Sequence, residues 1–267
     1  MSNARMILVA LMWLIPTAAV AHGPNGHPAD PNLHVDPSLR DCSVQFAPEL
    51  TQGAFSRFAR EFGSVSAFKM MAPPATLGPK RVAVGVERMS FSVEEMSDAW
   101  NDTFAHPDAY HELGTDHAFP KLRLRVGVSD NFDVGAFYTR NPEANYGWLG
   151  LEVKHAMLRQ SKTTPITLAL RGAYTKTLYV EDMDMHAVTT DIAAGHTFRN
   201  LFTPYLGLGA DAVLARETSN AVALQTEKQV VPHAVGGLEV RFRHVALGAE
   251  AYRAALTSFQ VQLTALF

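Results

Sequence analysis

The chain has 267 residues, with 23 lysines and arginines against 26 aspartates and glutamates, for a formal net charge of −3. With a pI near 6.4 it lacks the basic excess of a nucleic-acid binder, and no nucleic-acid partner is expected. Cys42 is the only cysteine, which excludes an intrachain disulfide.

At the start of the chain, Arg5 precedes an apolar run over residues 6–20 that closes on Ala19, Val20 and Ala21, the small-x-small pattern of signal peptidase. Residues 1–21 are predicted to be a Sec signal peptide, and Cys42 lies too far beyond it to carry a lipoprotein anchor. No later stretch approaches the roughly 18 apolar residues of a spanning helix. Residues 22–47 open with a stretch rich in Pro, Asn, Asp and Gly and read as a flexible periplasmic leader. His22, His27 and His34, with Asp30 and Asp36 nearby, match no closed metal site, so neither metal nor cofactor is expected.

Residues 48–79 form the next segment. Phe55, Phe58, Phe62, Val65 and Phe68 recur at three- and four-residue steps opposite Arg57, Arg60, Glu61 and Lys69, the pattern of one amphipathic helix. Gly63 weakens its second half, Pro73 and Pro74 stop it, and Gly78-Pro79 hands over to the first strand. Such a helix has three places to go: the inner leaflet surface, the space beneath a barrel, or the lumen as a plug. A Phe-rich stripe with cationic flanks suits the first two better.

Residues 80–267 read as about ten strands, within a range of eight to twelve, that alternate apolar and polar residues. Short connections at Ser129-Asp130-Asn131, 159–165, Arg199-Asn200-Leu201 and Arg243-His244 alternate with mostly longer ones at 94–116, 141–145, 178–184, 217–228 and 254–258. A meander with two different ends is what outer-membrane barrels have, with periplasmic turns and extracellular loops.

One face of the strands carries Val82, Val84, Val86, Leu122, Leu124, Val126, Leu149, Leu151, Val153, Leu168, Leu170, Leu206, Leu208, Leu247 and Val261 and is uncharged through mid-strand. The opposite face carries Arg81, Glu87, Lys121, Arg123, Arg125, Asp133, Glu152, Lys154, Arg171, Asp191, Asp211, Glu239, Arg241 and Glu250, seven cations and seven anions. In a soluble barrel the apolar face would point inward. Two features of that face point the other way. Phe132, Phe198, Phe202, Phe242 and Phe267 form a row at the short-turn end, with Tyr138 and Tyr174 toward the other, as aromatic girdles do. The five strands running toward the long loops also finish on the apolar phase in Arg88, Arg140, Lys176, Arg216 and Arg253. A cation costs about 2–4 kcal/mol at the bilayer midplane but little at the interface, so these five are predicted to form a rim facing lipopolysaccharide phosphates.

The last strand, 259–267, alternates throughout and ends on Phe267. It resembles the C-terminal β-signal that bacterial outer-membrane barrels present to their insertion machinery. The resemblance covers 80–267, and the helix with its Pro-Gly handover is similar to a group of exported proteobacterial barrel proteins that brings no established activity with it. The resemblance implies residence in the outer membrane of a Gram-negative-type envelope, contact with its lipid and lipopolysaccharide, and passage through the barrel-insertion machinery. Oligomeric state stays open.

A barrel of this size falls short of the roughly 16–18 strands that leave an aqueous channel. Enclosed charges of both signs in equal number are expected to interlock as ion pairs, giving a filled, low-conductance lumen. The first outer loop, with Glu94, Glu95, Asp98, Asp102, His106, Asp108, His111, Glu112, Asp116 and His117 around Trp100, Phe104 and Tyr110, is the richest chemical patch. With Glu181, Asp182, Asp184 and His186 of the third loop it offers acids and histidines to a surface hydrolase. Nothing resembles the motifs of outer-membrane proteases, lipases or deacylases, and no catalytic residue is assigned. The expected protein is all-β: a transmembrane antiparallel up-and-down barrel after a short amphipathic helix, non-enzymatic, with a structural or interaction role or slow passage of small polar solutes. A small-solute or lipid transporter and a first-loop hydrolase are the alternatives.

Overall fold

The computed structural model describes residues 41–94, 97–105 and 117–267. The expected signal peptide, the leader through residue 40 and the first-loop residues Glu95, His106, Asp108, Tyr110, His111, Glu112 and Asp116 lie outside the described residues.

In chain order the elements are β1 (Ser43–Val44), α1 (Gln52–Ser66), β2 (Val82–Phe91), the single-turn helix α2 (Asp98–Asn101) and β3 (Phe104–Ala105). Next come β4 (His117–Gly127), β5 (Phe132–Arg140), β6 (Gly147–Leu158), β7 (Thr167–Leu178), β8 (Met183–Gly195), β9 (Phe202–Glu217), β10 (Glu227–Phe242), β11 (Val245–Arg253) and β12 (Thr257–Leu266). β2 and β4–β12 form one closed barrel of ten antiparallel strands. Each strand pairs with the next, and β12 returns to β2 in the register Ser258↔Phe91 to Leu266↔Ala83, so the sheet has no free edge. Short turns gather at one end, helped by left-handed backbone at Arg199, Asn200 and Arg243.

The two-residue period of the strands decides which side faces out. Leu206 is 71% exposed and Leu122 56%, while Lys121 and Asp211, in the opposite phase on the same strands, are 2% and 0% exposed. None of the fifteen residues of the apolar face, from Val82 to Val261, is buried. The apolar stripe therefore covers the outside and the ionic stripe is enclosed, which is the inverse of a soluble barrel. Phe198, Phe202, Phe242 and Phe267 are exposed at the short-turn end.

The lumen is occupied. Residues 41–47 lie across the long-loop mouth, where β1 pairs with β3 and the Gln45 and Ala47 N–H groups donate to the Thr103 and Asp102 carbonyls. α1 then enters the barrel with Thr51 as its cap, the hydroxyl accepting from the Ala54 N–H at 3.2 Å. Its stripe of Phe55, Phe58 and Phe62 is fully buried with Phe46, Trp100, Phe104, Trp148, Met185 and Val213. Phe58 stacks on Phe62 at 5.0 Å and meets Trp100 edge-on at 5.4 Å, while Phe62 reaches Trp148 at 5.5 Å.

Three expectations are corrected here. The helix takes the lumen, not the leaflet surface or the space under the barrel, because inward-facing Met89, Trp148, Met185 and Val213 give its phenylalanines an apolar wall. The leader does not extend to 47 on the short-turn side: Cys42, Val44 and Phe46 are buried at the opposite mouth. The helix ends at Ser66, with Gly63 inside it, so Phe68 and Lys69 lie in the chain that follows and not on the helix. A Cβ at Gly63 would sit 2.5 Å from Val213 Cγ1, so the missing side chain is what lets α1 approach β9.

Candidate functional site

Below α1 the chain becomes an extended strap, residues 67–79, that runs down the lumen to the short-turn end. It cannot satisfy its own peptide groups, and wall side chains do so. Arg171 Nη2 donates to the Phe68 carbonyl at 2.7 Å, and Arg123 Nη2 to the Lys69 carbonyl at 2.7 Å. Lys154 Nζ donates to the carbonyls of Pro73 at 3.0 Å and Ala75 at 2.9 Å. The Glu250 carboxylate accepts from the Met71 N–H at 2.7 Å, and Asp133 accepts from the Leu77 N–H at 3.1 Å. Cations hold carbonyls and carboxylates hold N–H groups, so these contacts hold the main chain of the strap independently of its side-chain identity.

These wall groups also hold one another. Glu87 lies 3.6 Å from Lys121 and 3.4 Å from Arg123; Arg123 and Arg171 share Glu152 at 3.3 Å each; Arg171 meets Asp191 at 2.5 Å. Asp191 hydrogen-bonds His233 Nε2, whose Nδ1 is 3.5 Å from Asp211, and Asp211 accepts from the Tyr252 hydroxyl at 2.6 Å. The result is a continuous belt of ion pairs and hydrogen bonds across β2, β4 and β6–β11. Lys154 pairs separately with Asp133 at 3.5 Å. Enclosed charges persist only with partners of this kind, since losing one leaves the other desolvated and alone.

Of the fourteen charges assigned to the lumen, Glu87, Lys121, Arg123, Arg125, Asp133, Glu152, Lys154, Arg171, Asp191, Asp211, Glu239 and Glu250 are buried. Arg81 is exposed ahead of β2 and is corrected: at the short-turn rim it lies below the enclosed section. Arg241 is half-buried at the same end, 2.9 Å from Glu239.

Three interior groups escape a reading by sequence. His233 looks isolated along the chain, although the alternation that places Glu239 inside places His233 there too. Glu61 and Lys69 look like the polar side of a surface helix and are both buried. Glu61 accepts from Trp100 Nε1 at 2.6 Å and from Arg57 Nε at 2.8 Å. Lys69 lies 3.7 Å over the Tyr252 ring and donates to the Ser64 carbonyl. The apolar partners of α1 give no signal when inward positions are sorted by charge alone.

The five rim cations do not form an even ring. Arg140, Lys176, Arg216 and Arg253 are exposed and Arg88 is half-buried. Arg140 stacks 4.5 Å over Tyr179, whose hydroxyl is 2.9 Å from that of Tyr138. Lys176 and Arg216 lie 3.8 Å and 3.5 Å from Asp184, which also contacts His186 Nε2 at 3.2 Å. Arg253 donates to the Thr257 hydroxyl at 2.5 Å. Three of the five, with Tyr138, Tyr174 and Tyr179, thus share the outer face of β5–β9.

Several of the loop residues on which the hydrolase alternative draws make structural contacts. Trp100 and Phe104 turn inward onto α1, Glu94 pairs with Arg57 at 2.7 Å, and the Asp182 carboxylate accepts from the Phe46 N–H at 2.7 Å. Among the described residues no cluster of three or more His, Cys, Asp or Glu has the geometry to hold a metal.

No protein-family model matches the chain, and no curated protein does. Solved structures similar in form include Ail, the attachment invasion locus protein of Yersinia pestis, with 11% identity over 71% of this chain and 99% of that one at a TM-score of 0.34. They also include the outer membrane protein OprG of Pseudomonas aeruginosa (9% identity, 73% and 99%, TM-score 0.36) and an outer membrane channel of Pseudomonas putida F1 (8% identity, 71% and 96%, TM-score 0.42). The sheet closed on itself, the apolar band around its outside and the exposed phenylalanine row at one end make this chain a transmembrane β-barrel of the outer membrane.

Proposed function

We propose that the protein is a self-plugged outer-membrane barrel with a structural or interaction role, which passes small polar solutes slowly at most and carries out no catalysis. The observation that supports this is the strap: five wall side chains, Arg123, Asp133, Lys154, Arg171 and Glu250, engage its backbone over Phe68–Leu77, directly below a helix that fills the upper lumen. A helix with side chains is about 10 Å across, so α1 takes the bore that a conduit of this size would need. Planar-bilayer recording of the folded protein tests the reading: no steady unitary current is expected, and regular open-channel steps from the intact chain would refute it.

On the outer face, Arg140, Lys176 and Arg216 beside exposed tyrosines favour lipopolysaccharide phosphates as partners of the β5–β9 rim. Replacing Arg140 and Lys176 with Glu should weaken co-purification of lipopolysaccharide, and an unchanged yield would count against it. The strand over 257–266 with Phe267 is what the insertion machinery would engage. The transporter and hydrolase readings lose support to the filled lumen and to the structural use of Glu94, Trp100 and Asp182.

A further inference from the structure

We propose that the short-turn mouth of the barrel is a binding site for an anionic sugar, a small polyol carrying one carboxylate or phosphate. A cavity of about 570 Å³ opens there between the strap and the turns that come after β6 and β8, within the size range of small-ligand sites. Its floor is strap, Pro73 and Ala75, whose carbonyls are drawn the other way by Lys154.

Charge sets the first requirement. Among the described residues, Arg159, Lys162 and Arg241 line the cavity against one carboxylate, Glu239, and Glu239 is already engaged by Arg241 at 2.9 Å. Arg159 is only loosely paired, 3.8 Å from Asp130 with both side chains more than half exposed, a contact of little energy. Lys162 has no ion pair among the described residues. The mouth therefore carries an unanswered positive charge, and Arg241 keeps guanidinium donors beyond the one given to Glu239.

Hydroxyls set the second. Thr76, Ser161, Thr167, Thr197 and Thr203 surround the same space, and among the described residues no phenylalanine, tyrosine, tryptophan or leucine lines it. An acyl chain would find nothing there to bury against, whereas a ligand with several hydroxyls finds donors and acceptors on every side. The lining is also fixed in advance. Gln160 accepts from the Thr197 N–H at 2.7 Å and donates to the Thr197 carbonyl at 2.9 Å, and the Thr203 hydroxyl donates to that of Thr197 at 3.0 Å. Pre-formed polar groups of this kind favour a polyol over a bare anion.

Binding here does not require the lumen to conduct, so this inference and the proposed function fail separately. The test is calorimetric titration of the full-length protein folded in detergent, using glucuronate, glucose 6-phosphate, glucose and inorganic phosphate. Both anionic sugars should bind, with glucose and inorganic phosphate each at least about tenfold weaker. Lys162→Glu, on an exposed turn, should cut affinity for both anionic sugars about tenfold, and Thr197→Val should cut affinity for the sugars but not for phosphate. Equal binding of phosphate and glucose 6-phosphate would mark an adventitious anion site and overturn the proposal. So would equal binding of glucose and glucuronate, unchanged affinity in Lys162→Glu, or no anionic-sugar binding up to about 10 mM.

Discussion

Arg171 Nη2 donates to the carbonyl of Phe68 at 2.7 Å from a side chain that is 2% exposed and paired with Asp191 at 2.5 Å. A residue of the wall thus holds the plug and anchors the charge belt at once. Arg171→Met is expected to leave Asp191 and Glu152 short of a cation and to cost about 3–5 kcal/mol, the usual penalty for breaking a buried pair from one side. Urea unfolding followed by the gel shift between folded and unfolded barrel would measure it. The same variant should show intermittent current steps that the parent lacks.

The approach of α1 to β9 depends on Gly63. Gly63→Val would place atoms where Val213 Cγ1 already lies 2.5 Å from the position of a Cβ, and overpacking of this sort costs about 1–3 kcal/mol. Val213→Ala combined with it should restore most of the loss. A double-mutant cycle with no coupling would show that the two positions do not touch.

The outward orientation of the apolar stripe makes its own prediction. Leu208 is 64% exposed near the middle of β9. Leu208→Arg is expected to destabilise the protein folded into lipid vesicles by about 2–4 kcal/mol. A wall facing water would accept the same change at almost no cost, so a value near zero would reverse the assignment of the two faces.

The Glu61–Trp100 contact ties the plug to the first loop at 2.6 Å. Trp100→Phe removes the indole N–H and leaves a buried carboxylate oxygen short of a donor, at a cost of about 1–3 kcal/mol. Limited proteolysis should then cut the first loop sooner than in the parent.

Asp102, at the end of α2, has its pKa raised, first by burial and then by neighbouring Asp98 and Glu49. A carboxyl whose pKa is higher in the folded chain than in the unfolded one favours folding while protonated, and that contribution is lost as pH rises through the folded value. Asp102→Asn is therefore expected to match the parent in acid and to be slightly more stable at neutral pH. Unfolding midpoints across that range, with a gap that widens on acidification instead, would contradict the sign.

The wall is legible in the order of residues alone. Alternation along Leu122–Val126 or Leu149–Val153 is a property of the strand, so once one face is known to meet lipid the other is enclosed without reference to any tertiary contact. The same alternation assigns fourteen particular charges to a shared interior, of which twelve are buried, and the turn-forming residues mark where the short turns fall. What fills the interior depends on how the chain closes in space. α1 has the same stripe of phenylalanines whether it lies on a membrane or inside a barrel, and the difference lies in Met89, Trp148, Met185 and Val213, four residues from four strands that become one surface only when the sheet closes. Lys69 and Glu61 carry the same lesson in reverse: a charge on a helix face reads as solvated until the partner that accommodates it, a Tyr252 ring or a Trp100 indole, arrives from far along the chain.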